Sequence, residues 1–197
     1  MAMNIWSTPI KCSGLRIVDN VIDNAHFPFV HPGILGDTEH LELPPYENSV
    51  DDNGALWSYS HRAWLPLTQS VADYTYWIAN PYSVILFIKR PPAPDETATR
   101  YDFLGVFAQP TSEQSFIAHK MLAFVKEDWM DERKLRSDQQ WISVQDKFVL
   151  ERHTHKKLPI YDGLETSVSV DSASVAYRNW LRDRDVRYGA LTVEPFQ

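Results

Sequence analysis

Between residues 56 and 121 the chain follows a period of two. Trp57, Tyr59, His61 and Ala63 alternate with Leu56, Ser58, Ser60 and Arg62, the spacing that sends successive side chains to opposite faces of a strand. Similar runs at 74–79, 82–89, 101–109 and 115–121 make five predicted strands in succession. Their links are Asn80-Pro81, the polar 91–100 connection and Gln109-Pro110-Thr111-Ser112-Glu113, short or turn-like enough for antiparallel neighbours in a meander. No strand-helix-strand alternation, repeat or change of composition interrupts residues 1–197, which argues for a single domain and against a doubly wound sheet.

Upstream, residues 6–18 alternate until β-branched residues dominate, and predict another strand. Residues 36–54 are rich in Pro, Gly, Asp, Glu and Asn and predict a long loop, of the kind that covers a site or meets another subunit. Downstream the period changes. Residues 124–153 hold no Gly or Pro, and Ile142, Val149 and Leu150 form an apolar stripe, so one long helix is expected. Asp146 falls inside that stripe, where a carboxylate must be protonated, paired or metal-bound. The basic cluster at 153–157 suits a helix C-terminus. A last helix is expected over 171–184, with Asp171 as its N-cap and Val175, Trp180 and Leu181 as anchors. The class is therefore α+β, a helix-grip (START-like) fold in which a curved antiparallel sheet wraps around a long C-terminal helix.

Composition narrows the functional classes. With 44% hydrophobic and 13% aromatic residues the chain can bury a core. A net charge of −7 without a lysine- and arginine-rich stripe argues against nucleic acid. No stretch approaches the ~20 apolar residues of a membrane span, and a cytoplasmic location is expected. The single cysteine, Cys12, can form no internal disulfide, and a Rieske cluster needs two cysteines and two histidines.

The chemistry concentrates at 19–31, where Asp19, Asn20, Asp23, Asn24, His26 and His31 stand among apolar residues. Two imidazoles invite a divalent transition ion. On a regular helix His26 and His31 would lie about 140° apart, but Pro28 interrupts regular hydrogen bonding, so a kinked turn is expected to bring both rings to one ion. Two histidines and one carboxylate on one side of an ion form the facial triad of non-haem Fe(II) sites. Of the remaining histidines, His40 reads as a solvated loop residue, and His61 and His119 as packed or surface residues of strands. Trp57, Tyr59, Tyr76 and Phe103 are candidate pocket walls by alternation.

The run Asn20-x-x-Asp23-x-x-His26-x-x-x-x-His31, followed by Pro32-Gly33-Ile34-Leu35-Gly36, resembles the iron-binding segment in the catalytic domain of Rieske non-haem iron oxygenases, nearest the vanillate O-demethylase-like branch. Gln145-Asp146-Lys147-x-x-Leu150-Glu151 resembles the helix that supplies that family's third ligand, and Asp171 with Tyr177-Arg178-x-Trp180-Leu181 resembles its closing helix. The resemblance implies Fe(II) held by His26, His31 and Asp146, with Asn20 close to the iron. It implies that Asp23 links the site to the Rieske histidine of a neighbouring subunit in a homo-trimer. It further implies O2 activation beside an aromatic or other apolar organic substrate, which is hydroxylated or demethylated. Electrons would come from a Rieske [2Fe–2S] cluster of a separate Rieske or ferredoxin-type donor, since no Rieske domain is expected in these residues. Two other readings stay open: a non-catalytic helix-grip module that binds an apolar ligand or serves in assembly, and zinc hydrolysis, which lacks the glutamate of an H-E-x-x-H arrangement.

Overall fold

A computed structural model describes residues 1–66, 69–90, 99–126 and 130–192. Seven antiparallel strands form one sheet in the order β1-β7-β6-β5-β4-β3-β2. They are β1 (Ala2–Ile10), β2 (Glu47–Val50), β3 (Leu56–Leu65), β4 (Ser70–Asn80), β5 (Ser83–Arg90), β6 (Arg100–Ser112) and β7 (Ser115–Ala123). The expected meander is present from β3 to β7, and β1 returns to pair with β7 through Ile10 opposite Phe116. Helices α1 (Gly14–Val21), α2 (Phe27–Val30), α3 (Glu132–Leu150) and α4 (Ser172–Asp183) complete the α+β fold, with a two-stranded parallel pair of β8 (Leu158–Pro159) and β9 (Ala190–Leu191). The core lies between the sheet and the helices, where Ile10, Leu15, Val18, Ile78, Phe116 and Leu181 are almost wholly buried. The long helix α3 packs on β1 and α1, which is the predicted grip. None of the described helices is long and apolar enough to cross a membrane.

Four boundaries differ from the sequence expectation, each for a local reason. The strand expected at 6–18 ends at Ile10, because Ser13 caps a helix: its Oγ accepts a hydrogen bond from Leu15 N at 3.1 Å. Leu15, Val18 and Ile22, all buried, are the helical stripe that the β-branched residues of α1 obscured. The loop expected at 36–54 contains β2, an edge strand whose four residues are all exposed and so carry no alternation of burial. The link at 109–113 shrinks to Glu113-Gln114, since β6 runs to Ser112 opposite Ser115. The helix expected at 124–153 starts at Glu132, where Asp131 Oδ1 accepts from Arg133 N and Lys134 N. Residues 127–129 of that expectation, and 91–98 of the 91–100 connection, lie outside the described residues.

At the other end of α3 the basic cluster acts as expected, with Lys156 Nζ donating to the carbonyls of Glu151 and His153. Asp171 precedes α4 but does not cap it; its carboxylate accepts from Val168 N at 2.8 Å and closes the short 3-10 turn Ser169–Asp171.

His61 illustrates the cost of packing a titratable group in this core. It is fully buried, stacked on Tyr46 at 3.8 Å between centroids, with Nε2 on Ser58 Oγ at 2.6 Å and no hydrogen-bond partner for Nδ1 among the described residues. Burial pushes its pKa down from 6.5 to about 3. Between those two values the unfolded chain carries one more proton here than the folded chain, so stability falls as pH falls through that window. The slope from this group is about 1.4 kcal/mol per pH unit. Urea unfolding at pH 7 and pH 5 is expected to show a smaller loss of stability on acidification for His61→Phe than for wild type, and equal losses would contradict this assignment.

Candidate metal centre

α1 delivers the chain to the site and is itself fixed by charge. Arg16, 1% exposed, donates to the carbonyls of His155 and Lys157 and pairs with Glu165 at 2.6 Å. Glu165 also meets Arg178 at 2.9 Å, and Arg178 pairs with Asp19 at 2.7 Å, so α1, the 155–165 segment and α4 are tied by one network. Asn24, buried just beyond α1, accepts from Tyr76 Oη at 2.6 Å and holds the connection against the sheet.

The two histidines flank α2, which is a single turn. His26 occupies its N-cap position and His31 its C-cap, where φ −119° and ψ 47° leave the helical region. The angular separation of a regular helix therefore does not apply. Pro28 does not kink this turn as expected; it sits in the first turn, where its missing N–H is not needed. Val30 N bonds to His26 O at 2.8 Å and His31 N to Phe27 O at 2.9 Å. Beyond His31 the chain reverses: Gly33 adopts φ +75°, its N–H bonds to Gly36 O at 2.8 Å, and Gly36 lies so near Pro28 that an added Cβ would stand 2.9 Å from its backbone nitrogen.

Three candidate ligand atoms converge, with Asp146 lying 115 residues beyond His31 in sequence. His26 Nε2 and His31 Nε2 are 3.2 Å apart, and Asp146 Oδ1 stands 3.5 Å from the first and 3.0 Å from the second. Metal bonds of about 2.1 Å at right angles would put donor atoms about 3 Å apart. Each outer ring nitrogen has its own acceptor: Asp23 Oδ2 takes His26 Nδ1 at 3.3 Å, and Gln145 Oε1 takes His31 Nδ1 at 3.0 Å. These acceptors favour the proton on Nδ1 of each ring, and a neutral ring so held presents its Nε2 lone pair inward. With both rings neutral, two nitrogen lone pairs and a carboxylate oxygen face one another in a largely buried space, an arrangement that a metal ion or a second proton on His26 relieves.

Electrostatics agrees. At His26 burial favours the neutral ring, but hydrogen bonds to Asp146 and then Asp23 outweigh it and raise the pKa to about 9. At Asp146 burial favours the neutral acid, but the two imidazoles hold its carboxyl well below the usual range. Among the described residues these three are the group of His, Cys, Asp and Glu whose ligand atoms converge. Gln145 and Asp146 are successive residues of α3, about 100° apart, which is how one helix grips His31 from two sides.

The structure brings His26, His31 and Asp146 together, with Asp23 against His26 and Asn20 nearby. Asn20 lines the adjoining cavity with its buried Oδ1 lacking a hydrogen-bond partner among the described residues, and Asp23 accepts from Ala25 N at 2.8 Å as well as from His26 while staying 30% exposed. The candidate pocket walls are corrected. Trp57, Tyr59 and Phe103 lie on the other face of the sheet in an aromatic band with Trp77 and Phe87, and Tyr76 is spent on Asn24. The cavity, about 1100 Å³, is walled instead by residues such as Ile10, Ile17, Tyr74, Leu86, Leu104 and Val106. Alternation found the strands but not which face turned inward. The remaining histidines keep ordinary roles: His40 is 47% exposed, paired with Asp37 and stacked on Trp64, while His119 bonds Ser7 and Gln109. Arg16, Glu165 and Lys120 escaped the sequence reading, and Gln145 entered it only as part of a motif; an arginine between Leu15 and Ile17 was the available signal for the first.

Residues 10–184 match the model of the vanillate O-demethylase oxygenase C-terminal domain. The chain is 36% identical over 190 residues to the probable methylxanthine N7-demethylase NdmC of Pseudomonas sp. (strain TJI-51), covering 93% of this chain and 66% of that protein. NdmB of Pseudomonas putida CBB5 is similar in structure, with a TM-score of 0.68 at 26% identity over 91% of this chain and 48% of its own. The NdmA QL mutant with caffeine, from the same strain, gives a TM-score of 0.74 at 22% identity over 92% and 49%. The chain thus spans between about half and two thirds of these relatives.

Proposed function

The chain belongs to the vanillate O-demethylase oxygenase C-terminal domain family, the catalytic domain of Rieske-type oxygenases, and on that premise we propose that it is a mononuclear Fe(II) oxygenase domain that N-demethylates a methylxanthine or related planar heterocycle. The observation that carries this reading is the inward convergence of His26 Nε2, His31 Nε2 and Asp146 Oδ1, with both Nδ1 protons already committed. His26, His31 and Asp146 would hold the ion. Bound there, Fe(II) supplies a site for O2 activation that leaves positions open beside the substrate.

The residues of this chain do the rest. Asp23 and Gln145 hold the two imidazoles in the ligating tautomer. The apolar walls would bury a flat ring and exclude water from it. Overall, an N-methyl group, O2, two electrons and two protons become the N–H compound, formaldehyde and water. Residues 1–197 contain one cysteine, so the Rieske cluster that supplies those electrons is held by other residues. Asp23, bonded to His26 yet partly exposed, is placed to receive a donor's imidazole, and a homo-trimer would bring a neighbour's donor to it.

The methylxanthine assignment follows the 36% identical relative, and the cavity is large enough for such a ring. It is tested by incubating the Fe(II)-loaded chain with an N7-methylated xanthine, NADH, a reductase and a Rieske protein, and measuring formaldehyde against the demethylated product. Stoichiometric release is expected; binding of the heterocycle without formaldehyde under these conditions would favour the non-catalytic ligand-binding module instead.

A further inference from the structure

Nothing in the iron chemistry uses Lys120. It projects from β7, opposite Val106 of β6, into the cavity, and is only 8% exposed. Its ammonium has three N–H donors. One goes to Ser143 Oγ at 3.1 Å, and a second reaches the Gln139 carbonyl only at 3.5 Å. The Asp146 carboxylate acts on it through space, but burial outweighs that attraction, and an ammonium buried without a contacting anion costs several kcal/mol. Ser143 cannot help further, since its hydroxyl hydrogen goes to Gln139 O at 2.8 Å.

A second loose end lies beside it. Gln139 Oε1 is buried on the cavity wall with no hydrogen-bond partner among the described residues. Gln139, Ser143 and Asp146 occupy one face of α3. Ser143 is about 4.5 Å and Gln139 about 10 Å before Asp146 along the axis. The ammonium thus lies against Ser143 and the Gln139 carbonyl, and the unpartnered amide oxygen of Gln139 lines the same cavity, one to two turns of α3 before Asp146.

We propose that Lys120 and Gln139 are the specificity-determining pair of this cavity, and that they take the lactam edge of a planar heterocycle, a ring carbonyl accepting from Lys120 Nζ and the adjacent ring N–H donating to Gln139 Oε1. This edge suits the pair better than a carboxylate, which offers Gln139 Oε1 no hydrogen. Held so, the opposite edge of the heterocycle points along α3 toward His26, His31 and Asp146. The inference rests on the oxygenase reading for its choice of substrate class, but binding tests it apart from turnover.

The experiment is anaerobic calorimetry on the Fe(II)-loaded chain with four probes: theobromine, which has a free ring N–H between two carbonyls, caffeine, in which that nitrogen is methylated, benzoate, and naphthalene as an apolar control. Wild type is expected to bind theobromine about tenfold or more tighter than caffeine. Lys120→Met should weaken theobromine about tenfold and spare naphthalene, and Gln139→Leu should bring theobromine and caffeine nearly level. The pair is refuted if Lys120→Met leaves theobromine unaffected, if only benzoate responds to it, or if wild type shows no preference between the two xanthines. Iron content, measured on the same samples, separates the two claims. A chain that loads no iron yet shows these preferences refutes the oxygenase reading and supports the pair, whereas one that loads iron and ignores both substitutions refutes the pair alone.

Discussion

Asp146→Ala should reduce bound iron from about one per chain to background while leaving the fold intact, and His31→Ala should do the same. Each removes one of only three protein ligands. The surrounding structure does not depend on either side chain for its core: α3 is held by Ile142 and Leu150 and by Lys147, which donates to Pro9 O and pairs with Glu151 at 2.7 Å. Asp146→Ala also takes the partner of His26 away, so thermal stability without metal should fall while the fold persists. Gln145→Leu provides the graded comparison. It leaves all three ligand atoms and removes only the acceptor that fixes His31, so iron affinity should fall about 10–100-fold rather than vanish. Iron quantitation after gel filtration checks all three, and Asp146→Ala retaining as much iron as wild type would remove the proposed centre.

The second large effect is expected from Asp23→Asn, which should retain iron within about tenfold yet lower donor-coupled turnover by a hundredfold or more. Asparagine keeps one oxygen, which turned toward His26 Nδ1 holds the ring in its ligating tautomer at the cost of the bond from Ala25 N. What is lost is the negative charge facing both His26 and an incoming imidazole. A charge-assisted bond is roughly twice as strong as a neutral one, and the same carboxylate contributes to raising the His26 pKa. Parallel iron quantitation and NADH-coupled formaldehyde release would separate the two functions. Turnover as fast as wild type, or turnover by wild type with only a flavin reductase, would show that Asp23 is not the port and that no Rieske donor is needed.

What the sequence revealed and what it hid follow from how local each signal is. The strands β3 to β7 are half-buried, and burial on one face writes a period of two that any reader can find. β2 has no buried side chain, so it wrote nothing. α1 was misread because Ile17 and Val18 favour strands, while the deciding cue, Ser13 capping the first turn, is a single residue. The three proposed ligands were legible for a different reason: polar side chains placed among apolar ones at 26, 31 and 146 stand out wherever they occur. Their convergence was not legible from spacing, since it depends on His31 leaving the helical conformation and on α3 crossing β1 and α1. Lys120 and Gln139 sit in an alternating strand and a polar helix where neither looks unusual, and only their shared cavity makes them a pair.

The central claim, that these residues form a mononuclear Fe(II) site, is tested most directly by anaerobic titration with Fe(II) followed by electron paramagnetic resonance of the nitric-oxide complex. The account predicts saturation at about one iron per chain and a high-spin iron–nitrosyl signal that disappears in Asp146→Ala. A titration indistinguishable from a surface-histidine control, or an iron–nitrosyl signal unchanged by Asp146→Ala, would contradict it.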